Sequence, residues 1–215
     1  MGSPGARAAT RTVEVQTSAG IGRLWFDDVP ADTAPTARLV LGHGAGGGVA
    51  SRDLDLLARR LPAEGIAVVR FEQPWAVAGR VAGRPAVVDA AWSDAVGPLV
   101  DDVPTWFGGR STGARVACRT AAALGAAGVI AIAFPLRPPG RPNASRLDEL
   151  VGSGVPTVVI QGERDAFGRP GDFPLGDYRM VPVRGAAHGM RVLKGRDQSA
   201  ALDVVVATAL EVIRS

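Results

Sequence analysis

The sequence is poor in the residues that build disulfides and metal sites. Cys118 is the only cysteine among 215 residues, and His43 and His188 are the only histidines. A single cysteine excludes internal disulfides and cysteine-rich zinc sites. Cys118 lies in the stretch STGARVACRTAAAL, which predicts a buried helix, so we expect a small core residue rather than a reactive thiol. Without clustered histidine and cysteine ligands, we expect neither a metal nor a cofactor.

Long hydrophobic runs are also missing. The stretches GVIAIAFPL and LDVVVATALEVI are too short to span a bilayer, and the N-terminal stretch MGSPGARAATRTVEV has no apolar core of a secretory signal. We therefore expect a cytoplasmic protein with no membrane partner. We expect residues 1–11 to be frayed and residues 12–215 to form a single domain, because this length suffices for a three-layer core.

Lysine is almost absent, since Lys194 is the only one and arginine carries the remaining positive charge. Lysine and arginine together number 24 against 21 aspartates and glutamates, which leaves a formal net charge of +3. No basic run is interleaved with aromatic residues, and the arginines are scattered, often near acidic residues. We therefore expect no nucleic acid as a partner. The composition leaves the oligomeric state open.

Apolar runs alternate with helical patterns along the chain. Strands are predicted at residues 12–17, 21–26, 37–42, 66–72, 105–109, 128–135, 156–163 and 177–183, the first two as an antiparallel pair. Helices are predicted at residues 52–61, 86–100, 112–124 and 198–215. This alternation is typical of an α/β fold with a mostly parallel, twisted sheet and helices on both faces. Ligands of such folds bind beyond the carboxyl ends of the strands.

A glycine-rich loop follows the third predicted strand, in LVLGHGAGGG. Its glycines Gly42, Gly44 and Gly47 match the spacing of a dinucleotide-binding loop, and Glu72 ends the next strand, where such folds place an acid. However, Asp53 and Asp55 occupy the first turn of the following helix, after a predicted N-cap at Ser51. Because these carboxylates would repel a pyrophosphate, we favour a loop that offers backbone N–H groups to a reacting oxyanion.

A second motif, G-x-S-x-G, covers residues 109–113 between a predicted strand and a predicted helix. This context is typical of a nucleophile elbow, a sharp turn that holds the serine in a strained conformation and requires small neighbours. Ser111 is then the candidate nucleophile. The alternative is an ordinary tight turn with Ser111 as a helix N-cap.

A serine nucleophile needs a base, and the base needs an acid. His188 follows the last strand, between small residues, and we prefer it as the base over His43. Asp165 follows the seventh strand and is the natural acid, because the chain order serine, acid, histidine then matches a known triad arrangement. The alternatives are an exposed loop histidine and a turn-stabilising aspartate, with Asp172 or Asp177 as substitute acids.

These motifs resemble the α/β-hydrolase superfamily over roughly residues 12–214. The resemblance is carried by HGAGG at 43–47, GGRSTGAR at 108–115, QGERDAFG at 161–168 and HG at 188–189. They are most similar to small, lidless, dienelactone-hydrolase-like proteins, in the branch that includes a regulatory subunit of the nonspecific-lethal histone acetyltransferase complex. The resemblance implies an α/β-hydrolase fold without a large lid, and Ser111, Asp165 and His188 as the catalytic triad.

The remaining candidate residues surround this triad. The backbone N–H of Ala45 or Gly46, together with that of Thr112, is expected to form the oxyanion hole. Trp75 and Arg110 are candidate substrate contacts. The predicted function is a serine hydrolase acting on a small ester, thioester or related acyl compound. The alternative is a non-catalytic scaffold or interaction protein of the same fold.

The loop after the sixth strand is short and rich in arginine. It carries Arg137, Arg141 and Arg146, and no long insertion follows it. With Arg110 beside the nucleophile, these residues would favour an anionic substrate. The alternative is a set of solvated arginines on a proline-stiffened loop.

Overall fold

A computed structural model describes residues 10–138, 140–141 and 143–215. The expected frayed segment, residues 1–11, lies mostly outside these residues, and the first described strand begins at Arg11. That residues 12–215 form a single domain stays a prediction.

Within the described residues, eight strands form one sheet. They are β1 (Arg11–Thr17), β2 (Gly20–Asp27), β3 (Ala37–Gly42), β4 (Ile66–Glu72), β5 (Thr105–Arg110), β6 (Gly128–Ile132), β7 (Thr157–Gly162) and β8 (Arg179–Val183). Their order is β1-β2-β4-β3-β5-β6-β7-β8. The two pairings of β2 are antiparallel and the other five are parallel. The predicted mostly parallel sheet is confirmed.

In the described part of the chain, six α-helices cover the sheet. They are α1 (Arg52–Arg60), α2 (Pro74–Val77), α3 (Pro85–Val96), α4 (Thr112–Leu124), α5 (Leu147–Val151) and α6 (Gln198–Arg214). Leucines of α1 and the apolar residues of α6 share one core cluster, whereas α3, α4 and α5 contribute to a second cluster. Each cluster packs on one face of the sheet, so the prediction of helices on both faces is confirmed.

Local sequence patterns account for most of these elements. The helix predicted at 112–124 coincides with α4, and α1 begins directly after the predicted N-cap, Ser51, whose side chain makes no capping hydrogen bond. The strand predicted at 128–135 ends earlier, at Ile132. The short helices α2 and α5 escaped prediction, because a segment of four or five residues is too short to show a helical period.

Cys118 lies in the core, as predicted. It is 1% exposed and packs within the cluster of α3 and α4. Burial, and after it the charge of Glu149, raises the pKa of the Cys118 thiol to about 12, so the thiol stays protonated near neutral pH. Within the described residues, none of the helices has the length and apolar character needed to cross a lipid bilayer.

The parallel strands position the functional side chains. Strands β3, β5, β6, β7 and β8 run in the same direction, so their carboxyl ends meet at one edge of the sheet. The loops that leave β3, β5, β7 and β8 carry the glycine-rich stretch, Ser111, Asp165 and His188. The connection from β6 to α5, residues 133–146, is short, and its described part holds no inserted domain that could form a lid.

Candidate active site

Ser111 lies at a sharp turn between β5 and α4. Its backbone has φ 54° and ψ −108°, a conformation that residues with a side chain rarely adopt. Ser111 N–H donates to the Ile132 carbonyl at 3.0 Å, which ties the turn to the next strand. Such a conformation costs roughly 1–3 kcal/mol and persists only where the surroundings enforce it. The strained turn predicted for Ser111 is therefore present.

The glycines around Ser111 allow β3 and the turn to pack backbone against backbone. A Cβ at Gly113 would lie 2.1 Å from the Gly42 carbonyl oxygen, and a Cβ at Gly109 would lie 2.3 Å from the same atom. A Cβ at Gly42 would lie 2.8 Å from the Gly113 Cα. Gly42 thus has a packing role beneath the turn, and this role accounts for the first glycine of the dinucleotide-like spacing.

The side chain of His188 bridges Ser111 and Asp165. His188 Nε2 lies 3.0 Å from Ser111 Oγ, and His188 Nδ1 lies 2.8 Å from Asp165 Oδ2. A carboxylate can only accept at Oδ2, so the proton of the neutral imidazole lies on Nδ1 and Nε2 accepts from the serine hydroxyl. Three residues that are 77 and 23 positions apart along the chain therefore form one hydrogen-bonded chain.

Asp165 is held rigidly below the surface. It is 1% exposed, and besides His188 it accepts the Phe167 N–H at Oδ1 (2.8 Å) and the Gln161 amide at Oδ2 (3.0 Å). The same Gln161 nitrogen donates to the Gly168 carbonyl at 2.7 Å. Three donors around one carboxyl group hold its two oxygens in a fixed orientation. Sequence reasoning missed this contribution of Gln161.

The aromatic ring of Phe167 packs against the His188 ring. The two ring centroids are 4.6 Å apart and nearly perpendicular, at 77°. This contact restricts the rotation of the His188 ring. Because the His188 side chain is 22% exposed, one edge of the ring stays open to the cavity. Phe167 also escaped sequence reasoning, although it lies within the quoted acid-turn motif.

The other histidine has a different environment. His43 is 1% exposed, its Nδ1 contacts the Gly44 carbonyl at 2.9 Å, and its Nε2 accepts the Gln73 N–H at 3.1 Å. Burial lowers the pKa of His43 below its ordinary value, so the ring stays neutral. Both ring nitrogens are engaged by backbone groups, and His43 therefore joins the glycine-rich loop to the start of α2.

A cavity of ≈ 380 Å³ opens beside Ser111. Ala45, Gly46, Thr112, Phe167 and His188 contribute to its lining. Ala45 and Gly46 are exposed, and Thr112 is the first residue of α4, where a backbone N–H has no partner within the helix. The backbone groups predicted as oxyanion donors thus lie around the same space as the Ser111 hydroxyl.

Arg110 lines this cavity and forms an ion pair with a buried carboxylate. The Arg110 Nε lies 3.6 Å from Asp53 Oδ2, and Asp53 is 2% exposed. Burial raises the pKa of Asp53, and the Arg110 charge opposes that shift. The acid predicted to repel a pyrophosphate therefore neutralises an arginine beneath the glycine-rich loop.

Trp75 lies elsewhere. It lines a separate cavity of ≈ 340 Å³, together with Ile21, Val81 and Val87, and its ring packs on His43 with centroids 4.9 Å apart. The structure therefore does not bring Trp75 into the cavity beside Ser111, because the start of α2 directs its ring toward β2 and α3.

Glu72, which a nucleotide fold would use at the end of β4, is engaged by β2 instead. It accepts from the Trp25 indole N–H at 3.3 Å and lies 3.9 Å from an Arg23 nitrogen. In the described part of the chain, no group of three or more His, Cys, Asp or Glu side chains is arranged to hold a metal ion.

Comparison with solved structures shows that this architecture is widespread. The chain is similar to a serine hydrolase without a lid from Xanthomonas campestris, with TM-score 0.73 and 21% identity, covering 99% of this chain and 97% of that one. It is similar to a serine hydrolase homologue from Coxiella burnetii, with TM-score 0.71 and 19% identity, covering 92% and 96%. A structure of Est1E from Butyrivibrio proteoclasticus with bound ferulic acid has TM-score 0.72 and 12% identity, covering 94% and 100%. At these identities the likeness concerns the fold.

Sequence comparison gives the family. No functionally curated protein matches the chain at a significant level. A family model described as an alpha/beta hydrolase domain matches residues 35–214, which is more than half of the chain. This match and the sheet order, with the nucleophile-type turn after β5, lead to one conclusion: the chain belongs to the α/β-hydrolase domain family.

Proposed function

We propose that the protein is a serine hydrolase that cleaves a small ester, thioester or related acyl compound through an acyl-enzyme intermediate. The observation that carries the proposal is the hydrogen-bonded chain from Ser111 through His188 to Asp165, with distances of 3.0 and 2.8 Å. Esterase-like structural neighbours of the same fold agree with it. Within the superfamily we assign the chain to the small, lidless, dienelactone-hydrolase-like members.

In the first half-reaction, Ser111 Oγ attacks the acyl carbon while its proton moves to His188 Nε2. The negative charge on the substrate oxygen is stabilised by the Thr112 N–H and by an N–H of Ala45 or Gly46. Loss of one such donor typically costs about 3–4 kcal/mol of transition-state stabilisation. The tetrahedral intermediate then expels the alcohol or thiol, which takes the proton from His188.

In the second half-reaction, water attacks the acyl-serine and its proton moves to His188 Nε2. The tetrahedral intermediate collapses, Ser111 Oγ leaves with that proton, and the carboxylic acid is released. Asp165 keeps the proton on Nδ1 and stabilises the imidazolium that forms twice in each cycle. Both half-reactions use only water and the side-chain and backbone groups of this chain.

Active-site labelling tests the proposal. Wild-type protein incubated with a fluorophosphonate is expected to gain one adduct by intact-mass spectrometry, whereas Ser111→Ala is expected to gain none. Ser145→Ala is the matched control, because it removes an exposed hydroxyl from the loop before α5 and is expected to label like the wild type. Circular dichroism of each variant verifies folding.

Hydrolysis of a simple thioester completes this test. Turnover by the wild type and its loss in Ser111→Ala support the hydrolase. A folded wild type that neither labels nor hydrolyses any ester or thioester contradicts the proposal and favours the non-catalytic scaffold.

A further inference from the structure

Three arginines line the cavity beside Ser111, and they are not equivalent. They are Arg110, Arg115 and Arg146. Arg110 is opposed by Asp53, as described above. The remaining two lie on the other side of the cavity, Arg115 on the second turn of α4 and Arg146 directly before α5. Whether the cavity carries a net charge depends on what these two side chains contact.

Arg115 is neutralised by a carboxylate. Its guanidinium forms a two-point ion pair with Glu149 on α5, at 2.7 and 2.6 Å. Glu149 also accepts from Arg119 at 2.7 Å, and Arg119 in turn forms a two-point pair with Asp89 on α3. These four side chains join α3, α4 and α5, and their charges cancel.

Arg146 is the exception. Its Nη1 donates to the Pro135 carbonyl at 3.3 Å, and among the described residues no carboxylate lies within ion-pair distance of its guanidinium. Arg146 is half-buried at the cavity, beside Arg115. Burial, and after it the neighbouring charge of Arg115, lowers the pKa of Arg146, and the charge of Glu149 opposes this shift. The local cluster therefore holds three guanidinium groups against two carboxylates, and the uncompensated charge faces the cavity.

A half-buried guanidinium without an anionic partner is an unfavourable arrangement unless a ligand provides one. The other two arginines of this loop have different surroundings. Arg137 pairs with Asp172 at 3.2 Å, and neither Arg137 nor Arg141 lines the cavity. Of the three arginines that the sequence placed on this loop, only Arg146 thus lies at the cavity.

We infer that the cavity beside Ser111 selects acyl compounds that carry an ionised carboxylate in addition to the scissile ester or thioester, and that Arg146 binds this carboxylate. The inference rests on the proposed hydrolase function and deepens it to a substrate class. In the reaction, the scissile carbonyl lies against Ser111 while the carboxylate accepts from the free N–H groups of Arg146. Arg115, which is paired with Glu149, lines the same cavity.

Paired substrates test the inference. Glutaryl and pentanoyl thioesters of N-acetylcysteamine have acyl chains of equal length, and only the first carries a carboxylate. Butyryl esters of 4-hydroxybenzoate and 4-hydroxybenzamide place the same contrast on the leaving group. For each pair the ratio of kcat/KM, charged over neutral, is measured in the wild type and in variants at position 146. The pair whose ratio changes identifies the part of the substrate that carries the carboxylate.

In Arg146→Gln the ratio is expected to fall about 10- to 100-fold in one of the two pairs, since the free energy of a hydrogen bond to a charged group corresponds to a factor of this size. Arg146→Lys keeps the charge and is expected to retain most of the preference. Arg137→Gln is the matched control, because it removes the same charge from the same loop outside the cavity, and its ratios are expected to equal those of the wild type. Ratios that are unchanged by Arg146→Gln in both pairs overturn the inference.

A binding measurement separates this inference from the proposed function. Monomethyl glutarate and 4-(butyryloxy)benzoate, which carry the carboxylate on the acyl side and on the leaving-group side, are each titrated into Ser111→Ala and into Ser111→Ala/Arg146→Gln, followed by NMR chemical shifts. Binding to the double variant that is at least about tenfold weaker than binding to Ser111→Ala supports the carboxylate site, even if the wild type hydrolyses nothing. Equal affinities overturn the inference even if neutral esters are hydrolysed rapidly.

Discussion

The β3 loop (residues 43–50) and the β8 loop (residues 184–197) each carry one of the two histidines, and they hold them in opposite ways. Both nitrogens of His43 contact backbone groups, and its ring is 1% exposed. Both nitrogens of His188 contact side chains, and its side chain is 22% exposed. A neutral buried ring can only fix a loop, whereas a ring between a carboxylate and a hydroxyl can accept and return a proton.

The two loops also differ in what they offer to a substrate. The β3 loop presents exposed backbone at Ala45 and Gly46 and contributes no ionisable side chain to the cavity. The β8 loop contributes the His188 ring. In the proposed mechanism the first loop stabilises negative charge and the second transfers the proton, and each role can be tested by mutation.

Exchanging each histidine for glutamine is expected to give the largest difference between the two loops. His188→Gln is expected to lower kcat with a simple thioester by at least about 10³-fold while the fold stays intact, because no general base remains. His43→Gln is expected to keep labelling by the fluorophosphonate and to lower the free energy of unfolding instead. Steady-state kinetics and urea unfolding of both variants provide the measurements. An active His188→Gln variant contradicts the assignment.

Asp165→Asn tests how the β8 loop's histidine is oriented. The amide can donate to His188 Nδ1, which favours the wrong tautomer, and kcat is expected to fall by about 10²- to 10⁴-fold with little change in KM. Kinetics together with thermal unfolding check the result. Asp172→Asn is the control, since Asp172 contacts Arg137 and Arg169 rather than His188. Similar kinetics for both variants would speak against Asp165 as the acid.

Alanine at two glycines probes the packing of the β3 loop against the serine turn. Gly113→Ala would place a Cβ 2.1 Å from the Gly42 carbonyl oxygen, and we expect it to cost about 3 kcal/mol of stability or more. Gly46→Ala meets no atom within 4 Å and is expected to change the free energy of unfolding by less than about 0.5 kcal/mol. Chemical denaturation measures both. Equal stabilities would contradict the close backbone contact.

The pH dependence of stability provides the smallest effect. Burial lowers the pKa of His43 in the folded protein, whereas the unfolded chain binds the proton near the ordinary value of 6.5. The unfolded state therefore binds more protons, and stability is expected to fall as the pH drops below about 6.5, by at most about 1.4 kcal/mol per pH unit. Urea unfolding between about pH 7.5 and pH 5.5, values about one unit either side of that ordinary pKa, measures it.

The two histidine variants complete this experiment. The slope of stability against pH is expected to flatten in His43→Gln, since glutamine cannot take up the proton that His43 binds in the unfolded chain, and His188→Gln is measured beside it for comparison. A slope that His43→Gln leaves unchanged would show that other groups cause the acid sensitivity.

The sequence predicted most of the fold because its signals are local. Strand and helix periods, the N-cap position of Ser51 and the strand–turn–helix context of Ser111 can each be read within about fifteen residues. Chain order then pointed to Asp165 and His188, and the structure brings these two side chains and Ser111 within hydrogen-bond distance. Parallel strands make this possible, since they place distant loops at one edge.

The rest depended on contacts between distant parts of the chain. Gly42, which in the sequence fits a nucleotide loop, is needed where β3 meets the serine turn, and Trp75 faces a different cavity from Ser111. Arg110 is neutralised by Asp53, 57 positions away by residue number, whereas none of the described carboxylates lies within ion-pair distance of Arg146. The sequence by itself determined which side chains the strands deliver to the carboxyl edge. Only the tertiary structure decided which of them are packed, paired or left charged, because packing and ion pairing depend on neighbours that are far apart in the sequence.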